Sequence, residues 1–80
     1  MSALINKLTK NQSLVLDKCK QYATKNHLSG FDEFDTFDVI RDKDLKKAEF
    51  SFETISVNID ALVKKGYLRF LKHTKYRILK

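Results

Sequence analysis

Residues 51–68, SFETISVNIDALVKKGYL, decide the fold, because this stretch contains a helix together with its start and its end. Ser51 is a residue type that caps helix N-termini, and Gly66 can take the left-handed conformation that often follows a helix. Between them, apolar residues at intervals of four and three residues lie on one side of a helix: Ile55, Ile59 and Leu62. The stretch therefore predicts a helix over 51–65 with one buried edge.

After Gly66 the apolar pattern changes to a period of two, which is typical of β-strands. Strands are predicted over residues 67–71 and 76–79, and residues 72–75 join them as a turn. Two of the four turn residues are lysine and one is histidine. The C-terminal segment is therefore predicted to form a hairpin with a cationic tip.

The first half of the chain predicts further helices. Thr9 and Gln12 fit a capping box, and the apolar stripe that follows predicts a helix to about Asn26. A short helix capped by Asp35 or Thr36 is predicted to run to about Lys43, with a further turn over 44–49. We expect five phenylalanines to pack in the core rather than to stack on bases: Phe31, Phe34, Phe37, Phe50 and Phe52. The predicted class is α+β, mainly α with a small β hairpin.

Length and charge limit the possible functions. The chain has 80 residues with a formal charge of +6, and its last 20 residues carry seven Lys or Arg and no acid. This length predicts a single domain over 1–80, and the basic end is typical of proteins that bind polyanions. Cys19 is the lone cysteine, which excludes an internal disulfide and favours a reducing, cytoplasmic location. No apolar run approaches the length of a membrane span.

Two segments resemble winged-helix regulators of the MarR type. Leu8-Thr9-Lys10-Asn11-Gln12 with Val15-Leu16 is similar to the opening of the family's first helix, and residues 51–68 are similar to its recognition helix running into the wing. A minimal phage- or plasmid-type winged-helix regulator is a closer comparison, because the chain has no room for the terminal dimer helices of MarR relatives. The resemblance implies a winged helix-turn-helix fold, with three helices and a two-stranded wing, and transcriptional DNA binding.

A helical wheel of residues 51–65 indicates which side would read DNA. Glu53, Val57, Asp60 and Lys64 lie near the outward direction, and two of them are acids. We therefore expect the acid-free flank to face the bases: Ser51, Thr54, Asn58, Ala61 and Lys65. Asn58 is the favoured base reader, because its amide can pair bidentately with adenine. The alternative is an ordinary exposed asparagine.

The hairpin is expected to bind phosphates. Its predicted contacts are Arg69, Lys72, Lys75 and Arg77, and the tip residues His73 and Thr74 complete the predicted interface. If four cations bind phosphates, log affinity should fall against log salt with a slope of about −3.6. The alternative for each cation is a solvated charge, and for His73 a solvated turn residue.

The sequence thus predicts a sequence-specific double-stranded DNA-binding protein, most simply a transcriptional regulator, that works alone or as a homodimer, with the apolar residues 1–8 as the candidate dimer contact. It is not expected to be an enzyme or to hold a cofactor or a metal, because neither His27 nor His73 has spaced ligand partners. Two alternatives stay open: a protein–protein interaction module on the same scaffold, and a replication or plasmid-maintenance factor. Binding to a membrane surface is not expected, because the basic end has a strand period.

Overall fold

A computed structural model describes residues 8–25 and 32–79 of the chain. The elements in chain order are α1 (Lys10–Lys25), β1 (Glu33–Asp35), α2 (Thr36–Ile40), α3 (Lys43–Lys47), α4 (Phe52–Lys64), β2 (Leu68–Lys72) and β3 (Lys75–Ile78). The described part is an α+β structure, which confirms the predicted class at that level.

The predicted start of α1 is confirmed. The Gln12 amide donates to Thr9 Oγ1 at 3.1 Å, and the Thr9 amide donates to Gln12 Oε1 at the same distance, which completes the capping box. The apolar stripe of α1 is buried, and Val15 and Cys19 have no exposed surface. The predicted helix end near Asn26 lies outside the described residues.

The short helix predicted with a cap at Asp35 or Thr36 forms as α2, and Asp35 is its cap, but it ends at Ile40 rather than near Lys43. The further turn predicted over 44–49 corresponds to α3, which begins at Lys43. Asp42 separates them with an extended backbone, φ −61° and ψ 131°. Its carboxylate accepts the Leu45 amide at 3.0 Å and the Tyr22 hydroxyl at 2.7 Å. An aspartate that accepts a backbone amide three residues later caps a new helix rather than continuing the old one.

Helices α3 and α4 end in the same way, although one of them lacks glycine. After α4, Gly66 has φ 84°, and the Tyr67 amide bonds back to the Leu62 carbonyl. After α3, Glu49 has φ 64°, and the Phe50 amide bonds back to the Leu45 carbonyl. Both are Schellman motifs, and Glu49 occupies a conformation that favours glycine.

The two-stranded wing predicted from the sequence is part of a three-stranded antiparallel sheet of order β1-β3-β2. The sequence reasoning missed β1, in which Phe34 pairs with Tyr76 of β3, while Tyr76 pairs with Phe70 of β2. The ladder is irregular between Phe70 and Lys72. The turn is closed without glycine, because His73 takes a positive φ of 52°.

The core lies between the helices and one face of the sheet. Helix α1 packs against α4, α2 and β1. The largest fully buried side chains are Phe34, Ile55, Leu62 and Leu68. The expected aromatic core is therefore only partly correct: Phe34 is buried, but Phe37 and Phe52 are 51% and 60% exposed. Phe50 is half-buried, and Phe31 lies outside the described residues.

Candidate functional site

The flank of α4 that was expected to read DNA faces the interior of the protein instead. Asn58, the expected base reader, is only 9% exposed, and its Nδ2 donates to the Thr54 carbonyl oxygen at 2.7 Å. Thr54 is half-buried. The expected exposure of Asn58 is therefore wrong, because its side chain is buried and its amide bonds within α4.

The ends of the same flank are also engaged within the protein. The Ser51 hydroxyl caps α4 by accepting the Thr54 amide at 3.1 Å. At the other end, Lys65 Nζ donates to Gln12 Oε1 of α1 at 2.7 Å, and Ala61 is half-buried. Of the five predicted base-contacting residues, Ser51 alone is classed as exposed. This flank therefore holds α4 against α1.

The side of α4 that faces solvent is apolar and acidic. Phe52 and Val57 are 60% and 65% exposed, and Glu53 and Asp60 are exposed beside them. Lys64 is the cation at the C-terminal end of this side. The helix therefore presents large apolar groups and two carboxylates outward.

A groove separates this side of α4 from α2 and the hairpin. Its volume is about 160 Å³. Residues that line it include Phe37, Ile40, Phe52, Ser56, Asp60 and Tyr76. We call the groove together with the solvent-facing side of α4 (Phe52, Glu53, Val57 and Asp60) the groove face.

Aromatic side chains connect the groove to the core. The ring of Tyr76 lies 5.9 Å from that of Phe34 in a stacked arrangement, and 5.4 Å from that of Phe70 in an edge-to-face arrangement. Phe70 is 51% exposed. Burial raises the pKa of Tyr76, and the nearby Asp60 carboxylate raises it further. Tyr76 thus fixes the hairpin against the wall of the groove and near Asp60.

The basic residues and the histidine of the hairpin differ in exposure. Arg69, Lys72, His73 and Lys75 are exposed, as expected for groups that could meet phosphates. Arg77 differs, because its Nη2 pairs with Glu33 Oε2 of β1 at 3.1 Å. Thr74 is half-buried, and its carbonyl accepts the Thr36 amide at 2.9 Å, which fixes the hairpin tip to the start of α2.

A buried carboxylate that the sequence reasoning did not single out connects α1 to the α2–α3 break. Asp42 is 6% exposed and accepts the Tyr22 hydroxyl, while Lys18 Nζ lies 3.5 Å from its Oδ1. Burial opposes its charge, but the hydrogen bonds from Tyr22 and the Leu45 amide, with the charge of Lys18, lower the pKa of Asp42. The hydrogen bond to Asp42 raises the pKa of Tyr22, and the hydrogen bond to Asp44 raises that of Lys18. The residue types Lys18, Tyr22 and Asp42 are ordinary, so only their three-dimensional contact reveals them.

Side chains of the types that most often bind metals or act as nucleophiles occur among the described residues. No group of three or more His, Cys, Asp or Glu side chains within residues 8–25 and 32–79 is arranged to hold a metal ion. Burial raises the pKa of the Cys19 thiol to about 12, so its nucleophilic thiolate is disfavoured. Leu8, from the segment considered for a dimer contact, packs against the core, and residues 1–7 lie outside the described residues.

Comparisons with protein-family models, with curated proteins and with solved structures find no match for this chain. Within the described part of the chain, no helix is both long enough and apolar enough to cross a membrane. Inferences about function therefore depend on the geometry of the groove face and the hairpin.

Proposed function

We propose that the chain is a winged-helix module that binds another protein through its groove face. The order of elements supports the winged-helix assignment: α3 and α4 form a helix pair joined by a short turn, and a hairpin follows α4 directly. In such a module the second helix of the pair and the hairpin form one continuous contact surface. The chemistry of that surface indicates the partner.

The composition of the solvent-facing side of α4 carries this proposal. Phe52 and Val57 each leave more than half of their surface in water, and Glu53 and Asp60 lie among them. Duplex DNA presents one negative charge per roughly 1.7 Å of axis, so two carboxylates on the inserted helix repel the phosphates. Exposed aromatic and aliphatic groups rimmed by charge are typical of protein interfaces instead.

Duplex DNA binding is the second candidate, and the hairpin favours it. Arg69, Lys72 and Lys75 are exposed, whereas Arg77 already pairs with Glu33. Three phosphate contacts rather than four give a slope of log affinity against log salt near −2.7. In this mode the contacts are phosphate contacts of the hairpin, which carry little sequence information. A regulator or a replication factor that bound DNA in this way would need contacts other than those of the hairpin for its sequence specificity.

Site-specific photo-crosslinking separates the two candidates. A photoreactive residue replaces Val57 on the groove face, and in a matched control it replaces Asp17, which is exposed on α1. We expect irradiation of cells that make the protein to join position 57, but not position 17, to a defined protein. Adducts to DNA alone, the same adducts from both positions, or no adduct from position 57 would overturn the proposal.

Titration of a labelled duplex at two salt concentrations tests the second candidate. Contact by the hairpin predicts that affinity falls steeply with salt. It also predicts that a Lys72→Ala, Lys75→Ala double variant has a slope of log affinity against log salt that is smaller in magnitude by about 1.8. A flat salt response, or an unchanged slope in the double variant, contradicts it. A Lys10→Ala, Lys20→Ala double variant serves as the matched control, because it removes the same charge from exposed positions of α1 without changing the hairpin, and its slope should equal that of the wild type.

A further inference from the structure

We infer that the groove between α2, α4 and the hairpin holds one basic side chain, an arginine or a lysine, of the partner protein. This inference rests on the proposed function and names the group that the groove would recognise. It depends on the size of the groove, its lining and its unbalanced charge.

The size of the groove fits one side chain. Its volume of about 160 Å³ is well below the roughly 300–1,000 Å³ of pockets that enclose small-molecule ligands. A single long side chain projecting from a partner fills such a space, while the rest of the partner lies on the surrounding surface. The exposed rings of Phe37 and Phe52 on either side of the opening supply apolar area for that contact.

The charge of the groove selects a cation. Asp60 is the charged residue among the lining residues, and no Lys or Arg lines the groove. Within residues 8–25 and 32–79, Asp60 has no ion-pair partner, in contrast to Asp38, Asp42 and Asp44. A carboxylate in the lining of a largely apolar groove, where no Lys or Arg of the described residues pairs with it, attracts a cation from outside.

The lining also suits the shape of a basic side chain. Lys and Arg carry an apolar stem and a charged end, so the stem can cover apolar surface while the end stays near water. Ile40, Phe37 and Phe52 provide apolar surface for the stem, and Asp60 provides the acceptor for the charged end. Aromatic rings add attraction for a guanidinium or ammonium group that lies over them. An acidic side chain would meet the Asp60 carboxylate and be repelled.

Titration with small probes, followed by ¹⁵N–¹H spectra of the full chain, tests this inference. The probes are n-butylguanidinium, the neutral 1-pentanol, and butyrate. We expect n-butylguanidinium to shift the amide signals of Ser56, Asp60 and Thr74 with a dissociation constant on the order of millimolar. Butyrate should shift them least. Asp60→Asn should weaken n-butylguanidinium binding about two- to fivefold and leave pentanol binding unchanged.

Asp17→Asn is the matched control, because Asp17 is an exposed aspartate on α1 and does not line the groove. It should bind n-butylguanidinium as the wild type does. Equal binding of pentanol and n-butylguanidinium, equal loss in Asp60→Asn and Asp17→Asn, or no shift at the groove would each overturn the inference. If the inference fails but position 57 forms a protein adduct, the proposed function still stands. If position 57 forms no protein adduct, the proposed function and the inference about the groove both fail.

Discussion

Replacing Tyr22 by phenylalanine removes one hydroxyl from the buried contact between α1 and the α2–α3 break. The ring keeps its packing against the core, but Asp42 loses a 2.7 Å donor. A hydrogen bond to a charged group contributes about 1.5–3 kcal/mol, and the lower end applies here because Tyr22 is partly exposed. A chain of 80 residues has a total stability of roughly 4–12 kcal/mol, so a loss of about 1.5 kcal/mol is substantial. We expect Tm to fall by roughly 6–12 °C.

The cost of Tyr22→Phe should depend on pH. The folded pKa of Asp42 is below its ordinary value of 3.8, so the stability gained from its charge is present above that value and is lost as pH falls through the folded pKa. The folded pKa of Tyr22 is above its ordinary value of 10.0, so its contribution is complete below pH 10 and is lost as pH rises through the folded pKa. The difference between wild type and variant should therefore be constant between these limits and shrink on both sides.

Urea unfolding followed by far-UV circular dichroism measures these changes, and Thr24→Val is the control. It also removes a hydroxyl from α1, but one that is exposed and bonds only to the Lys20 carbonyl. Its effect should stay within about 0.5 kcal/mol. In an Asp42→Asn background, Tyr22→Phe should cost less than in the wild type. Equal costs in the two backgrounds, or a cost no larger than that of Thr24→Val, would refute the reasoning.

Three further substitutions or reactions follow from burial and backbone geometry. Asn58→Asp should destabilise the protein by about 2 kcal/mol, because the new carboxylate would face the Thr54 carbonyl in a buried position. Urea unfolding measures this change. A change within about 0.5 kcal/mol would mean that the side chain is exposed. Glu49→Gly should raise Tm by a few degrees, about 0.5–1 kcal/mol, because φ is 64° there; a lower Tm contradicts this. Burial raises the pKa of Cys19 to about 12 and leaves it no exposed surface, so iodoacetamide should label it only as fast as the chain unfolds. Labelling of the native protein at the rate of a free thiol contradicts this.

Elements with strong local signals could be predicted from the sequence. The capping box at Thr9, the cap at Ser51 and the terminating Gly66 each depend on residues five or fewer positions apart, and all three were confirmed. β1 could not be predicted in the same way, because its three residues become a strand only by pairing with β3. The break at Asp42 combines a local cap, the Leu45 amide three positions later, with the hydroxyl of Tyr22, 20 positions earlier, and only the local cap lies in the neighbouring sequence.

The predicted exposure of Asn58 on α4 is wrong for a related reason. A helical wheel shows which residues share a side, but α4 has two flanks beside its apolar edge, and the wheel does not say which one meets α1. The absence of acids on the Thr54–Asn58 flank was interpreted as suitability for DNA. The same absence suits a flank that is buried, because carboxylates are costly in the interior. Burial of Asn58, with its amide bonded to its own helix, decides between these interpretations.

The sheet has two outer strands, and each discourages the addition of a foreign strand. β1 is only three residues long, carries Glu33 and Asp35, and passes directly into α2. β2 carries Arg69 and Lys72 and is interrupted by the irregularity after Phe70. Short, charged and kinked edges are poor templates for intermolecular β-pairing. A protein that leaves several aromatic rings in water is therefore protected against fibril growth, because both edges of its sheet are poor templates for an added strand.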